Sequence, residues 1–258
     1  MTSGLVDLVF DMELDEATRG EKWARIRRAY THPLRAPHRM PNFEHLLDID
    51  LRQLFNFYDE VFFEHEIRNE LDDRPLEFRV SSRMTRRAGK TIRWINRRTG
   101  TERFEIVISR VLLAGVCVET ESKPLKVNGI ECRDRLDVLM RILEHEIIHL
   151  IEFALWGESS CSSAQYQMMA GGIFGHTEFR HGLPGPEQLA AKKHGIRPGT
   201  MVEFEYDGEL LVGVVNRITR RATVLVESDE GQPYDDGKSY IKFYIPLQFL
   251  RPVGQTAS

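Results

Sequence analysis

Residues 145–149 read His145-Glu146-Ile147-Ile148-His149, inside a run whose apolar residues recur every three or four positions. Leu136, Leu139, Met140, Leu143, Ile147, Leu150, Ile151 and Ala154 supply that period, which is helical. Val138, Ile142, Phe153 and Trp156 add apolar groups on the other faces, so the helix is expected to be buried nearly all round. Asp134 and Asp137 suit its first turn, where the helix dipole favours negative charge, and Gly157 is a natural stop, so the pattern predicts a helix over about 134–156. The rest of the chain must therefore pack around a long interior helix that carries two His and a Glu. Residues four apart share one helix face, so both imidazoles can reach one metal ion. Glu146 then sits beside the open coordination position, where a carboxylate can take a proton from water. A buried carboxylate without such a role is unfavourable, which argues against two ordinary histidines here.

At 258 residues the chain can form one large domain, or one medium and one small. Residues 1–43 read as an N-terminal extension, partly flexible: a helical stretch from Glu13 to Tyr30, a proline-punctuated linker to Pro41, and basic residues from Lys22 to Arg39 on a solvated arm. Leu46 to Leu71 reads as one helix with Leu47, Leu51, Leu54, Phe55, Tyr58, Phe62 and Phe63 toward the core. Strands are expected at 78–80, 91–95 and 104–108, with a turn at 96–101 containing Gly100. A hairpin around Asn128-Gly129 is expected within 116–132, and a second helix over 163–174 with Gly175 as its stop. From Gly199 the runs 201–206, 210–218, 222–227 and 240–245 are short and β-branched, suggesting a small SH3/KOW-like barrel over 197–254. The fold class expected is α+β, with a main domain over 44–196.

A net charge of −4 excludes a generally basic nucleic-acid binder. Cys117, Cys132 and Cys161 form no C-x-x-C pair and no even framework, which points to a reducing compartment. No cationic start precedes an apolar run at the N-terminus, and the longest apolar stretch, Val111 to Val118, is too short to span a bilayer. A cytoplasmic protein without a membrane partner is expected; the oligomeric state is left open. One segment departs from the overall charge: Arg79 to Arg103 holds eight Arg and one Lys against the single acid Glu102. Arg83, Arg86, Arg87, Lys90, Arg93, Arg97 and Arg98, with Trp94 among them, can form phosphate contacts with one base-stacking ring, making DNA a candidate partner. The same residues can equally be the cations of a solvated sheet edge that deters strand pairing.

A helix with Leu54-Phe55-Asn56-Phe57-Tyr58 is followed by Ser82-Arg83-Met84-Thr85-Arg86-Arg87-Ala88-Gly89, by the strand Phe104 to Ser109 with Val111-Leu112-Leu113, and by the H-E-x-x-H helix. This order of elements, over about residues 46–182, resembles the SprT-like, Spartan-related zinc metalloprotease family. The resemblance implies a zincin-like fold, Zn²⁺ held by His145 and His149, Glu146 as general base, and a protein substrate that is associated with or crosslinked to DNA. The family supplies a third His where this chain has Ser162. Its neighbour Cys161, a thiol twelve residues past His149, is one candidate for the third donor, and His176 is the other. His181 and Glu152 are weaker candidates. About 20 Å of continuous helix would separate Cys161 from His176, so the two cannot share an ion. The alternative to a metallopeptidase is a non-catalytic, zinc-stabilised adaptor associated with nucleic acid, whose site would be closed by four ligands.

Overall fold

The computed structural model describes residues 4–32, 39–116, 125–179 and 182–254. Cys117, His181, and parts of the expected linker and of the 116–132 segment lie outside these. The chain is α+β and divides into two compact units, Met1–Leu183 and Pro184–Ser258. No helix among the described residues is long and apolar enough to cross a membrane.

The first unit is built around the expected helix. Among its helices, α1 spans Gly4–Asp11, α2 Glu16–Tyr30, α3 Asp48–Phe63, α4 Glu66–Leu71, α5 Arg110–Ala114, α6 Arg135–Trp156 and α7 Ala164–Phe174. Helix α6 begins where Asp134 accepts the Asp137 amide at 3.0 Å and ends at Gly157 in the left-handed conformation, φ 76°. Only glycine adopts that backbone without strain, which is why the helix stops there. Its apolar residues from Leu136 to Ile151 are buried on every side, but in the last turn Phe153 and Leu155 are half-buried and Trp156 is exposed, so the expected all-round burial stops short of the end; the two histidines stay partly open.

A three-stranded sheet lies against it: β1 (Leu76–Ser81), β2 (Gly89–Ile95) and β3 (Glu102–Ser109), in the order β1-β3-β2. β3 is parallel to β1 and antiparallel to β2, so β2 is an edge strand. The hairpin of β4 (Leu125–Val127) and β5 (Ile130–Cys132) turns at Asn128 and Gly129, both with positive φ, as its Asn-Gly pair predicts.

Two expectations for this unit are corrected. Leu46 to Leu71 is two helices, because Glu64 and His65 both take left-handed backbone, and the buried Asp59 carboxylate accepts the Ile67 amide at 3.1 Å where the chain restarts. The N-terminal residues are no solvated arm: Leu5, Val9, Ile26 and Tyr30 are buried in the core of this unit. The Arg27 guanidinium forms ion pairs with Asp134 and Asp137, tying α2 to the start of α6.

The second unit has its own core, including Val202, Phe204, Val215, Ile218 and Val224. Helix α8 (Pro186–His194) belongs to it, as buried Ala190 and Ile196 show, so its boundary falls before the expected 197. Strands β6 (Met201–Tyr206), β7 (Glu209–Ile218), β8 (Ala222–Pro233), β9 (Ser239–Ile245) and β10 (Arg251–Pro252) form one antiparallel sheet in the order β10-β6-β7-β8-β9. The expected strands are present, but the barrel is not closed. A 3-10 turn at Leu247–Phe249 carries the chain from β9 across to β6, where β10 pairs over only two residues and leaves β9 without a second neighbour.

Candidate metal centre

His145, Glu146 and His149 project from α6 into a cleft of about 750 Å³ in the first unit. The imidazoles face each other, Nε2 to Nε2 at 3.1 Å. Tyr166 of α7 packs under both rings, with centroid distances of 5.2 Å to His145 and 4.6 Å to His149, and its hydroxyl donates to the His145 carbonyl at 3.0 Å. Burial lowers the pKa of His149 to about 4, so its ring is neutral and keeps a lone pair at ordinary pH.

Cys161 completes the group. It sits in the loop between α6 and α7, and its sulfur and the two histidine nitrogens lie within 4.8 Å of one another. Tetrahedral Zn²⁺ with nitrogen and sulfur donors sets neighbouring donor atoms roughly 3.3–3.8 Å apart, so closing the set asks for a movement on the order of 1 Å. Two imidazoles and a thiol on one wall of an open cleft are a donor set that fits Zn²⁺. Among the described residues no other group of three such donors converges.

His176 is not part of this group. Its ring is fully buried, with Nε2 3.0 Å from Glu144 Oε2. Glu144 also accepts the Tyr58 hydroxyl at 2.7 Å and pairs with Arg141 at 3.0 Å. His176 therefore belongs to a buried polar network made by helix positions that do not face the cleft. Glu152 is also held away from the donors, since its carboxylate accepts hydrogen bonds from the loop that follows α6.

Glu146 is 3 % exposed, and burial raises its carboxyl pKa to about 7, although Thr91 Oγ1 lies 2.8 Å from Oε2 and can donate to it. Thr91 comes from β2, and so does Gly89. A β-carbon at Gly89 would lie 2.3 Å from Glu146 Oε1, so only glycine admits the carboxylate here. Gly89 was visible as the end of the Ser82–Gly89 motif, whereas Thr91 carried no signal.

The basic strip is divided. Arg93 is engaged with Glu102 and donates to the Gly157 carbonyl at 2.6 Å, so it closes the end of α6. Arg79 pairs with Glu105 and Arg103 with Glu77, neutralising two more cations. Arg83, Arg86, Arg87 and Lys90 are exposed around the start of β2, and Arg87 and Lys90 line the cleft itself. Arg97 and Arg98 are exposed in the β2–β3 turn, and Trp94 is half-exposed beneath the Arg103 guanidinium.

Compared with known protein families, with functionally characterised proteins and with solved structures, the chain matches none.

Proposed function

We propose that the chain is a zinc-dependent metalloendopeptidase of the SprT-like kind, with a zincin-like first unit. The observation that carries this reading is the convergence of His145, His149 and Cys161 with the buried carboxylate of Glu146 in one open cleft. His145, His149 and Cys161 would hold Zn²⁺. When bound, Zn²⁺ supplies Lewis acidity toward a carbonyl oxygen and toward water.

The remaining chemistry falls to the chain. One carboxylate oxygen of Glu146 takes the proton from the attacking water and later returns it to the leaving amine, a role suited to a buried carboxylate that lines the cleft beside the donors. Thr91 holds one oxygen of that carboxylate, and Gly89 leaves room for the other. β2 is an edge strand, and Gly89, Lys90 and Thr91 line the cleft, so an extended polypeptide can pair with its outer side and lie across Glu146. That favours a polypeptide substrate over a small molecule. An adaptor with a site closed by four ligands has less support, since three donors converge on an open cleft. Arg87 and Lys90 on the cleft, with Arg83 and Arg86 exposed beside them before β2, favour substrates associated with a polyanion such as DNA.

Purified protein should contain one Zn²⁺ per chain and cleave casein or histone, faster for histone on DNA. Glu146→Gln should keep the zinc and lose hydrolysis. Unchanged turnover in that variant removes Glu146 from the mechanism, and absence of zinc in protein purified without chelator removes the proposal.

A further inference from the structure

Glu152, one turn beyond His149 on α6, is nine-tenths or more buried and faces the loop that carries Cys161. Its carboxylate organises that loop: Oε2 accepts the Ser159 hydroxyl and, at 3.2 Å, the Ser160 amide, while Oε1 accepts the Ser163 hydroxyl at 3.3 Å. Ser159 Oγ also lies 2.6 Å from His149 Nδ1. A serine hydroxyl has a single proton. With that proton given to the carboxylate, Ser159 Oγ can only accept from the ring, so Nδ1 carries the N–H. The lone pair is then on Nε2, the atom 3.1 Å from His145 Nε2 and turned toward the other donors.

Resting on the metal-centre reading above, we infer that Glu152 and Ser159 are positioning residues for two of the three donors. Through Ser159, Glu152 fixes the tautomer and rotation of His149. Through Ser160 and Ser163 it folds the loop that presents Cys161. The serine-rich run Ser159-Ser160-Cys161-Ser162-Ser163 is therefore a scaffold: three of its four serines bond to the same buried carboxylate, and the thiol between them is brought to the histidines. Hydrogen-bonded partners behind a metal-binding histidine generally contribute on the order of 10- to 100-fold in metal affinity.

Ser159→Ala separates the two roles, because Ser160 and Ser163 still hold the loop while His149 Nδ1 loses its partner. Zn²⁺ affinity, measured by chelator competition, should fall about 10- to 100-fold, while the metal-stripped protein stays folded with a lowered melting temperature, since Glu152 loses one hydrogen bond and keeps those of Ser160 and Ser163. Ser159→Thr keeps a hydroxyl at that position and should restore the affinity. Glu152→Gln should weaken binding and also diminish the thiolate-to-metal absorption of the Co²⁺-substituted protein, since Cys161 loses its scaffold. Ser159→Ala binding as tightly as wild type, or Ser159→Thr binding as weakly as Ser159→Ala, overturns the inference and leaves the metal centre standing. Wild-type protein that takes up neither Zn²⁺ nor Co²⁺ defeats the metal-centre reading, and this inference with it.

Discussion

Glu146→Gln should stabilise the metal-stripped protein, and by an amount that depends on pH. Glu146 is enclosed by β2 and α6, and burial raises its carboxyl from 4.5 to about 7 in the folded state. A raised carboxyl pKa means that the folded protein holds this proton more tightly than the unfolded chain does. Ionisation therefore works against the fold: the penalty is absent below about pH 4.5, grows between about 4.5 and 7, and is constant above. A shift of that size corresponds to about 3 kcal/mol. Glutamine has the same shape, can still accept from Thr91, and never ionises. At pH 8 the metal-stripped variant should be more stable than metal-stripped wild type by about 3 kcal/mol. The gap should close by pH 4. Saturating Zn²⁺ should narrow it at pH 8, because a cation beside the carboxylate favours the ionised form. Trp23, Trp94 and Trp156 all lie in the first unit, so tryptophan fluorescence during urea unfolding reports on the unit that contains Glu146. A difference that does not change with pH, or a wild type more stable than the variant at pH 8, refutes the desolvation argument.

Gly89→Ala should displace the Glu146 carboxylate, because the new β-carbon has no room beside Oε1; peptide hydrolysis should fall by at least about 10²-fold, with zinc content by metal analysis unchanged. His176→Ala should lower stability by about 1–3 kcal/mol in chemical denaturation by leaving Glu144 and Arg141 less well paired, yet keep one Zn²⁺ per chain; loss of zinc would return His176 to the ligand set. Replacing Arg83, Arg86, Arg87 and Lys90 together by Ala should weaken DNA binding and flatten its dependence on salt, whereas Arg93→Ala should lower the melting temperature through Gly157 and Glu102. Affinity of the wild type for DNA that does not fall as salt rises would rule out phosphate contact.

How far the sequence could be read follows from which interactions are local. Helix α6 was legible end to end because its period, the acids Asp134 and Asp137 at its start and its Gly157 stop all lie within the segment itself; that Asp134 caps the helix rather than joining its first turn is what the structure adds. The same holds for α7, between Ser163 and Gly175, and for the Asn128-Gly129 turn. The break at Glu64 and His65 has no glycine or proline to announce it; it is enforced by Asp59, a buried acceptor five residues before it. Helix α2 is rich in charge and buries only Ile26 and Tyr30, so its sequence resembles a solvated arm. What draws it into the core is Arg27 meeting Asp134 and Asp137, a partnership more than a hundred residues long that no window can reveal.

The third donor shows the same limit at the site. Chemistry alone favoured His176 and spacing alone favoured Cys161, and neither could weigh what stands next to each. Glu144 and His145 are adjacent in sequence, so they project from α6 in different directions, and whichever helix-terminal histidine meets Glu144 is drawn away from the cleft. His176 is that histidine. Glu152, three residues past His149 and therefore on its side of the helix, gathers the serines around Cys161 instead. Two carboxylates on different faces of one helix thus sort the two candidates. The acids flanking H-E-x-x-H carry as much information about the candidate metal centre as the motif itself, once the faces they occupy are known.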